Sequence, residues 1–206
     1  MSDLISNLVA ALRAGIFSHP VSLKVSTFIF ILSVFLGILS IANKLLLLAN
    51  RRAGWTSGMV IGLLSSVFFF FIGLKILAFA ELGFFVVMLY GYASNTKRSN
   101  VHECMFDILL TCISLVLSIA LFKGQLTIYE LISSLSFIWG GYALAVANRF
   151  LGWSLLLSAH VATSLASYLA GELVFAGLQI LSGIVCVFAL ITLLAHRRSE
   201  ERPVGE

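Results

Sequence analysis

ANRRAGW at residues 49–55 and ANRFLGW at residues 147–153 are one phrase, Ala-Asn-Arg-x-x-Gly-Trp, written twice 98 residues apart in a chain of 206. Under the same shift Ser66 falls on Ser164, Gly73 on Gly171 and Glu81 on Gln179. Chance is a poor account of a seven-residue phrase followed by further matches. The chain therefore reads as two copies of one unit, and the copies need a setting.

Composition supplies it. The chain is 60% hydrophobic and only 11% charged, with a mean hydropathy of +1.07 and 17 Phe against 2 Pro. A soluble domain needs more polar residues to cover its outside, so this one belongs in a lipid bilayer. A spanning helix takes roughly 20 mostly apolar residues. Seven such stretches are present, at about Val25–Leu48, Trp55–Leu74, Ile76–Ala93, Cys104–Phe122, Ile128–Ala147, Trp153–Leu169 and Leu173–Ala195. Residues 1–24 lack the order of a secretory leader and read as an interfacial lead-in. The tail, residues 196–206, reads as solvated and disordered.

The two phrases follow the first and the fifth span. Each copy is thus three helices, residues 25–95 and 126–195, and the span at 104–122 joins them. Equivalent helices are four crossings apart, an even number, so both copies run in the same direction. The expected fold is all-α, seven transmembrane helices in a 3+1+3 parallel-repeat layout of the SWEET type, with the substrate site between the halves.

Lys and Arg set the orientation, because cytoplasmic loops carry the excess. With the N-terminus outside, the inner face holds Arg51, Arg52, Lys97, Arg98, Arg149, Arg197, Arg198 and Arg202, against Arg13, Lys24, Lys75 and Lys123 outside. Lys44 lies near the inner end of the first span. The net charge of +4 is then a topology signal, and no nucleic-acid partner is expected.

An ionisable or strongly polar side chain inside a span is expensive and normally faces the protein interior or a water-filled path. Glu81, His160 and Gln179 are such residues. His160 lies two turns after Trp153 on one face, and Thr163, Ser164 and Ser167 continue that stripe. Trp55 and Trp153 offer ring faces on which a flat or cationic solute can stack. Each also has a plainer reading: the tryptophans as interfacial anchors, and the polar residues as helix-to-helix partners. The run Gly54, Gly58, Gly62 allows close helix packing, as does Gly140-Gly141.

The paired Gly-Trp, the phenylalanine-rich second span, AELGFFVVMLYGY ending in Tyr90-Gly91-Tyr92, and SYLAGEL together resemble the PnuC family of vitamin-precursor transporters, over about residues 25–195. The resemblance implies facilitated diffusion of nicotinamide riboside, or a related vitamin or nucleoside, across a bacterial inner membrane, with trapping by cytoplasmic phosphorylation. It implies a site built from Trp55, Glu81, Tyr90, Trp153, His160, Ser164 and Gln179, without a cofactor, and is compatible with a homo-oligomer. Three positions depart from the family's pattern. Leu156 stands where a second tryptophan is usual, His160 where an Asn or Asp is, and Glu81 where a Gln is, which bears on the ligand.

An enzyme is not expected, since no nucleophile elbow, paired-histidine zinc motif or phosphate-binding glycine loop occurs. The cluster HECMFD, with His102, Glu103, Cys104 and Asp107, lacks a second histidine or cysteine at ligand spacing. Cys104, Cys112 and Cys186 read as small apolar residues. A proton-coupled carrier using Glu81 and His160 is the alternative to a facilitator.

Overall fold

The computed structural model describes residues 23–49, 52–93, 101–122 and 124–200. Among them all regular structure is helical: α1 (Leu23–Leu48), α2 (Arg52–Phe71), α3 (Lys75–Ala93), α4 (Val101–Ala120), α5 (Gln125–Ala145), α6 (Arg149–Leu169) and α7 (Leu173–Glu200). The interfacial lead-in expected at residues 1–24 falls almost wholly outside the described residues. Helix α7 continues past its apolar span, Leu173–Ala195, to Glu200, and residues 201–206 of the tail lie outside the described residues.

Five helices, α1, α2, α3, α6 and α7, are long and apolar enough to cross a membrane. The apolar stretch of α4 is shorter, Met105–Ala120. Helix α5 is diluted by Thr127, Glu130, Ser133, Ser134 and Ser136, all buried. Its polar face turns inward, which lowers its apolarity without exposing the polar groups to lipid.

The connections explain the repeated glycines. Gly73 ends α2 at φ 82° and Gly171 ends α6 at φ 87°, a region glycine enters without the Cβ clash of other residues. The turns match bond for bond. The Gly73 N–H donates to the Phe70 carbonyl at 3.2 Å and Leu74 N–H to Phe69 at 2.9 Å, while Gly171 N–H donates to Tyr168 at 3.0 Å and Glu172 N–H to Ser167 at 2.8 Å. These bonds satisfy the carbonyls that a helix end leaves open.

The repeated phrase is the other joint. Asn148 caps α6, its side-chain oxygen accepting from the Leu151 N–H at 3.3 Å. The glycines of the phrase let each helix start pass close to the preceding helix end. A Cβ on Gly54 would come within 2.8 Å of the Leu47 nitrogen, and one on Gly152 within 3.0 Å of the Leu144 nitrogen.

By contact the helices form a ring in the order α1, α2, α3, α5, α6, α7 and back to α1, with α4 outside it against α3 and α5. Side-chain bonds tie neighbours together. Ser182 of α7 donates to Ser40 of α1 at 3.3 Å, Ser133 of α5 bonds Thr163 of α6, and Trp139 of α5 donates to Thr111 of α4 at 3.0 Å. The molecule is apolar outside and polar within. Phe70, Val116, Ile119 and Phe188 are exposed, whereas Ser40, Asn43, Lys44, Glu81, His160 and Gln179 are buried. Exposed apolar surface of this extent suits lipid rather than water.

Candidate functional site

At the centre of the ring is a cavity to which each of the six ring helices contributes and α4 does not. Its polar wall is Ser40 and Lys44 from α1, Ser65 from α2, Glu81 from α3, Thr163 from α6 and Gln179 from α7. Phe69, Phe84, Phe137 and Phe175 complete it. The volume is about 10 Å³, room for about one water and far below the roughly 300–1,000 Å³ of a small-molecule pocket. This conformation is closed around the polar groups.

Two apolar clusters close it. Toward the Gly73 and Gly171 turns, the Phe175 ring lies 4.6 Å from Phe68 and 5.6 Å from Phe69, centroid to centroid. Toward the opposite end, the Phe84 and Phe137 rings lie 5.5 Å apart, tilted at 57°, and pack with Met88, Trp153, Leu156 and Cys186. The two clusters seal the cavity at both ends.

Lys44 is held from behind. Its Nζ donates to Asn43 Oδ1 at 3.1 Å, and Asn43 Nδ2 donates to the Gly54 carbonyl at 2.5 Å and to Ser57 Oγ at 3.1 Å. Asn43 thus fastens α1 to the start of α2 and uses its oxygen to orient the lysine. Glu81 is only 4% exposed, and its Oε2 has no hydrogen-bond partner. Among the described residues, nothing supplies the donors that a buried carboxylate ordinarily requires.

On the other side of the ring, His160 Nδ1 and Gln179 Oε1 are 2.6 Å apart. Gln179 Oε1 can only accept, so the proton sits on His160 Nδ1 by the logic of the network. The buried Nε2, which has no partner, is then a bare acceptor. The imidazole stands edge-on to Phe137, with centroids 5.3 Å apart at 88°.

The residues singled out from sequence separate into groups. Glu81 and Gln179 line the central cavity, and His160 sets the Gln179 side chain without itself lining it. Trp55 and Trp153 meet at a second cavity of about 50 Å³, with Leu47, Leu48, Leu144, Arg149 and Leu193. Trp153 is buried and Trp55 half-buried, its ring covering Gly91. Tyr90 is half-buried on α3 and lines neither cavity. Ser164 donates to the Ala176 carbonyl at 2.9 Å, and its neighbour Thr163 faces the central cavity instead.

Lys44 is the cavity residue that the sequence reading placed only near the inner end of the first span and did not name as a site residue. The signal was available, since a lysine four residues before the end of an apolar helix is an intramembrane ionisable group like Glu81. Among the described residues, no group of His, Cys, Asp and Glu could hold a metal ion. Side chains of His102, Glu103 and Cys104 lie outside the described residues, and Asp107 is buried on α4.

No family model, no curated protein and no solved structure matches this chain.

Proposed function

We propose that this protein is a membrane transporter that carries a small polar solute through the centre of its helical ring. The carrying observation is the central cavity, where Lys44, Glu81 and Gln179 stand with three hydroxyl groups between two aromatic plugs. Buried polar groups of that number are costly and are kept where a solute must exchange its water for protein partners. In this reading all seven helices cross the bilayer, α1–α3 and α5–α7 are parallel repeats, and α4 is the linker, a 3+1+3 layout. The N-terminus lies outside and the Trp55–Trp153 end faces the cytoplasm.

The resemblance to the PnuC family supplies the solute class: nicotinamide riboside or a related vitamin or nucleoside. The chemistry of the wall agrees with such a molecule. Hydroxyls and an amide suit ribose and carboxamide groups, and the four phenylalanines suit a flat ring. Transport is facilitated diffusion at a bacterial inner membrane, with trapping by phosphorylation inside. The test is uptake into proteoliposomes of labelled nicotinamide riboside, thiamine, riboflavin and thymidine. Saturable uptake of one of them, lost in Glu81→Leu, supports the reading; uptake of none overturns it.

A second reading, a proton-coupled carrier, draws on one observation. Glu81 Oε2 and His160 Nε2 are both buried without a partner, and both can take a proton. A facilitator keeps its uptake rate when a protonophore dissipates the gradient. A coupled carrier loses concentrative uptake.

A further inference from the structure

The two ionisable groups of the central cavity come from the same half of the ring. Lys44 is on α1 and Glu81 on α3, whereas 98 residues later the chain has Tyr142 and Gln179. His160, a further titratable group beside the cavity, spends its Nδ1–H on Gln179 and presents no second donor, and Cys186 beside Lys44 is a small thiol. The wall therefore carries one basic and one acidic side chain.

Neither is fully used. Lys44 has three N–H groups, and its bond to Asn43 employs one. Glu81 Oε2 has no hydrogen-bond partner, and among the described residues no ion pair joins the two. A buried charge is tolerated when it is both paired and hydrogen-bonded. A solute entering this cavity meets a lysine Nζ with spare N–H donors and a glutamate Oε2 that has no hydrogen-bond partner.

A solute of net charge +1 satisfies Glu81 and leaves Lys44 with a like charge nearby. An uncharged solute adds hydrogen bonds and pairs neither group. A solute with one positive and one negative group pairs both and leaves the interior with no net charge. We infer that the central cavity is a site for zwitterionic solutes, the anionic group set against Lys44 and the cationic group against Glu81.

This rests on the transporter reading and sharpens its solute class. Of two ribosides alike in ring and sugar, the pyridinium carboxylate, nicotinic acid riboside, is a zwitterion. The pyridinium carboxamide, nicotinamide riboside, is a cation. The acid is the better ligand.

The experiment is isothermal titration of the purified full-length protein with nicotinic acid riboside and with nicotinamide riboside, each at neutral pH. The acid is expected to bind at least about ten-fold more tightly. Lys44→Gln should bring the two within about two-fold, weakening the acid and relieving the like charge that opposes the amide, and Lys44→Met serves where Gln disturbs folding. The wild-type ratio needs neither variant. Equal binding, or tighter binding of the amide, overturns the inference and leaves vitamin transport standing. Binding of neither riboside while thiamine, riboflavin or thymidine binds also overturns the inference but not transport. Binding of none of the five overturns both.

Discussion

Glu81 and Gln179 lie 98 residues apart, line one cavity, and differ in that Gln179 has a partner on the neighbouring helix and Glu81 has none. The reason is the residue that the neighbouring helix presents in each case. Gln179 bonds His160 of α6, and the residue 98 before His160 is Gly62. With no side chain there, α2 approaches so closely that a Cβ on Gly62 would come within 2.8 Å of the Glu81 carbonyl oxygen. One half spends its polar residue on holding the helices together. The other spends a glycine on packing and leaves its carboxylate to the cavity.

Lys44 and Glu81 make no direct ion pair but share one cavity and attract each other across it, so they should be coupled in stability and separately necessary in transport. Removing one member of a buried pair leaves an uncompensated charge, whereas replacing both with neutral residues is often neutral or stabilising. Lys44→Met and Glu81→Gln should each lower the melting temperature in detergent. The double variant should recover most of that loss while remaining inactive in uptake. A double variant less stable than either single would show that the two charges are independent.

The approach of α2 to α3 predicts a graded glycine series. Gly62→Ala meets a backbone oxygen and the Phe85 Cβ at 3.0 Å, while the Cβ at Gly58 meets the flexible Met88 side chain first. Overpacking of this kind typically destabilises by about 1–3 kcal/mol. Gly62→Ala should have the larger effect. Gly177, with nothing within 4 Å of an added Cβ, is the control, and Gly177→Ala should leave the melt unchanged or raise it.

Gly73→Ala and Gly171→Ala should destabilise equally. Both glycines sit at nearly the same positive φ with the same bonding around them, and a Cβ there is unfavourable by about 1–2 kcal/mol. Unfolding in denaturant would reveal it, and a variant tolerated at one position but not the other would break the equivalence of the two turns.

A double-mutant cycle on His160 and Gln179 should return a coupling of about 1 kcal/mol, the size found for interhelical bonds in membranes. His160→Leu and Gln179→Leu each strand a buried polar partner, and the double variant strands none. Additive melting shifts would mean that the 2.6 Å contact contributes nothing to the closure of α6 on α7.

Hydropathy locates helices well because lipid-facing residues must be apolar whatever the packing. It underestimates α5, whose buried serines and Glu130 dilute the apolar signal while facing other helices. Glu81, His160 and Gln179 were legible as polar residues in apolar surroundings, and so were the glycine joints, because the phrase containing them is written twice. Lys44 was not. A lysine near a helix end reads as an interfacial anchor, and no feature of α1 alone says that its side chain turns inward to Asn43 and the cavity.

The sequence by itself determined a helical, membrane-suited chain with an internal repeat and a few costly polar side chains. Those follow from composition, from period and from residues compared at a fixed spacing, none of which requires knowing how helices touch. The tertiary structure alone decided that six helices enclose the cavity while α4 stays outside. It also turned Thr163 inward and spent Ser164 on a carbonyl, and set Lys44 and Glu81 in one wall. Rotation of a helix about its axis is set by which neighbours its small residues admit, and adjacent residues on a helix point about 100° apart. Whether a polar side chain meets a solute, a neighbouring helix or its own backbone depends on that rotation, and the contacts that fix it come from distant parts of the chain.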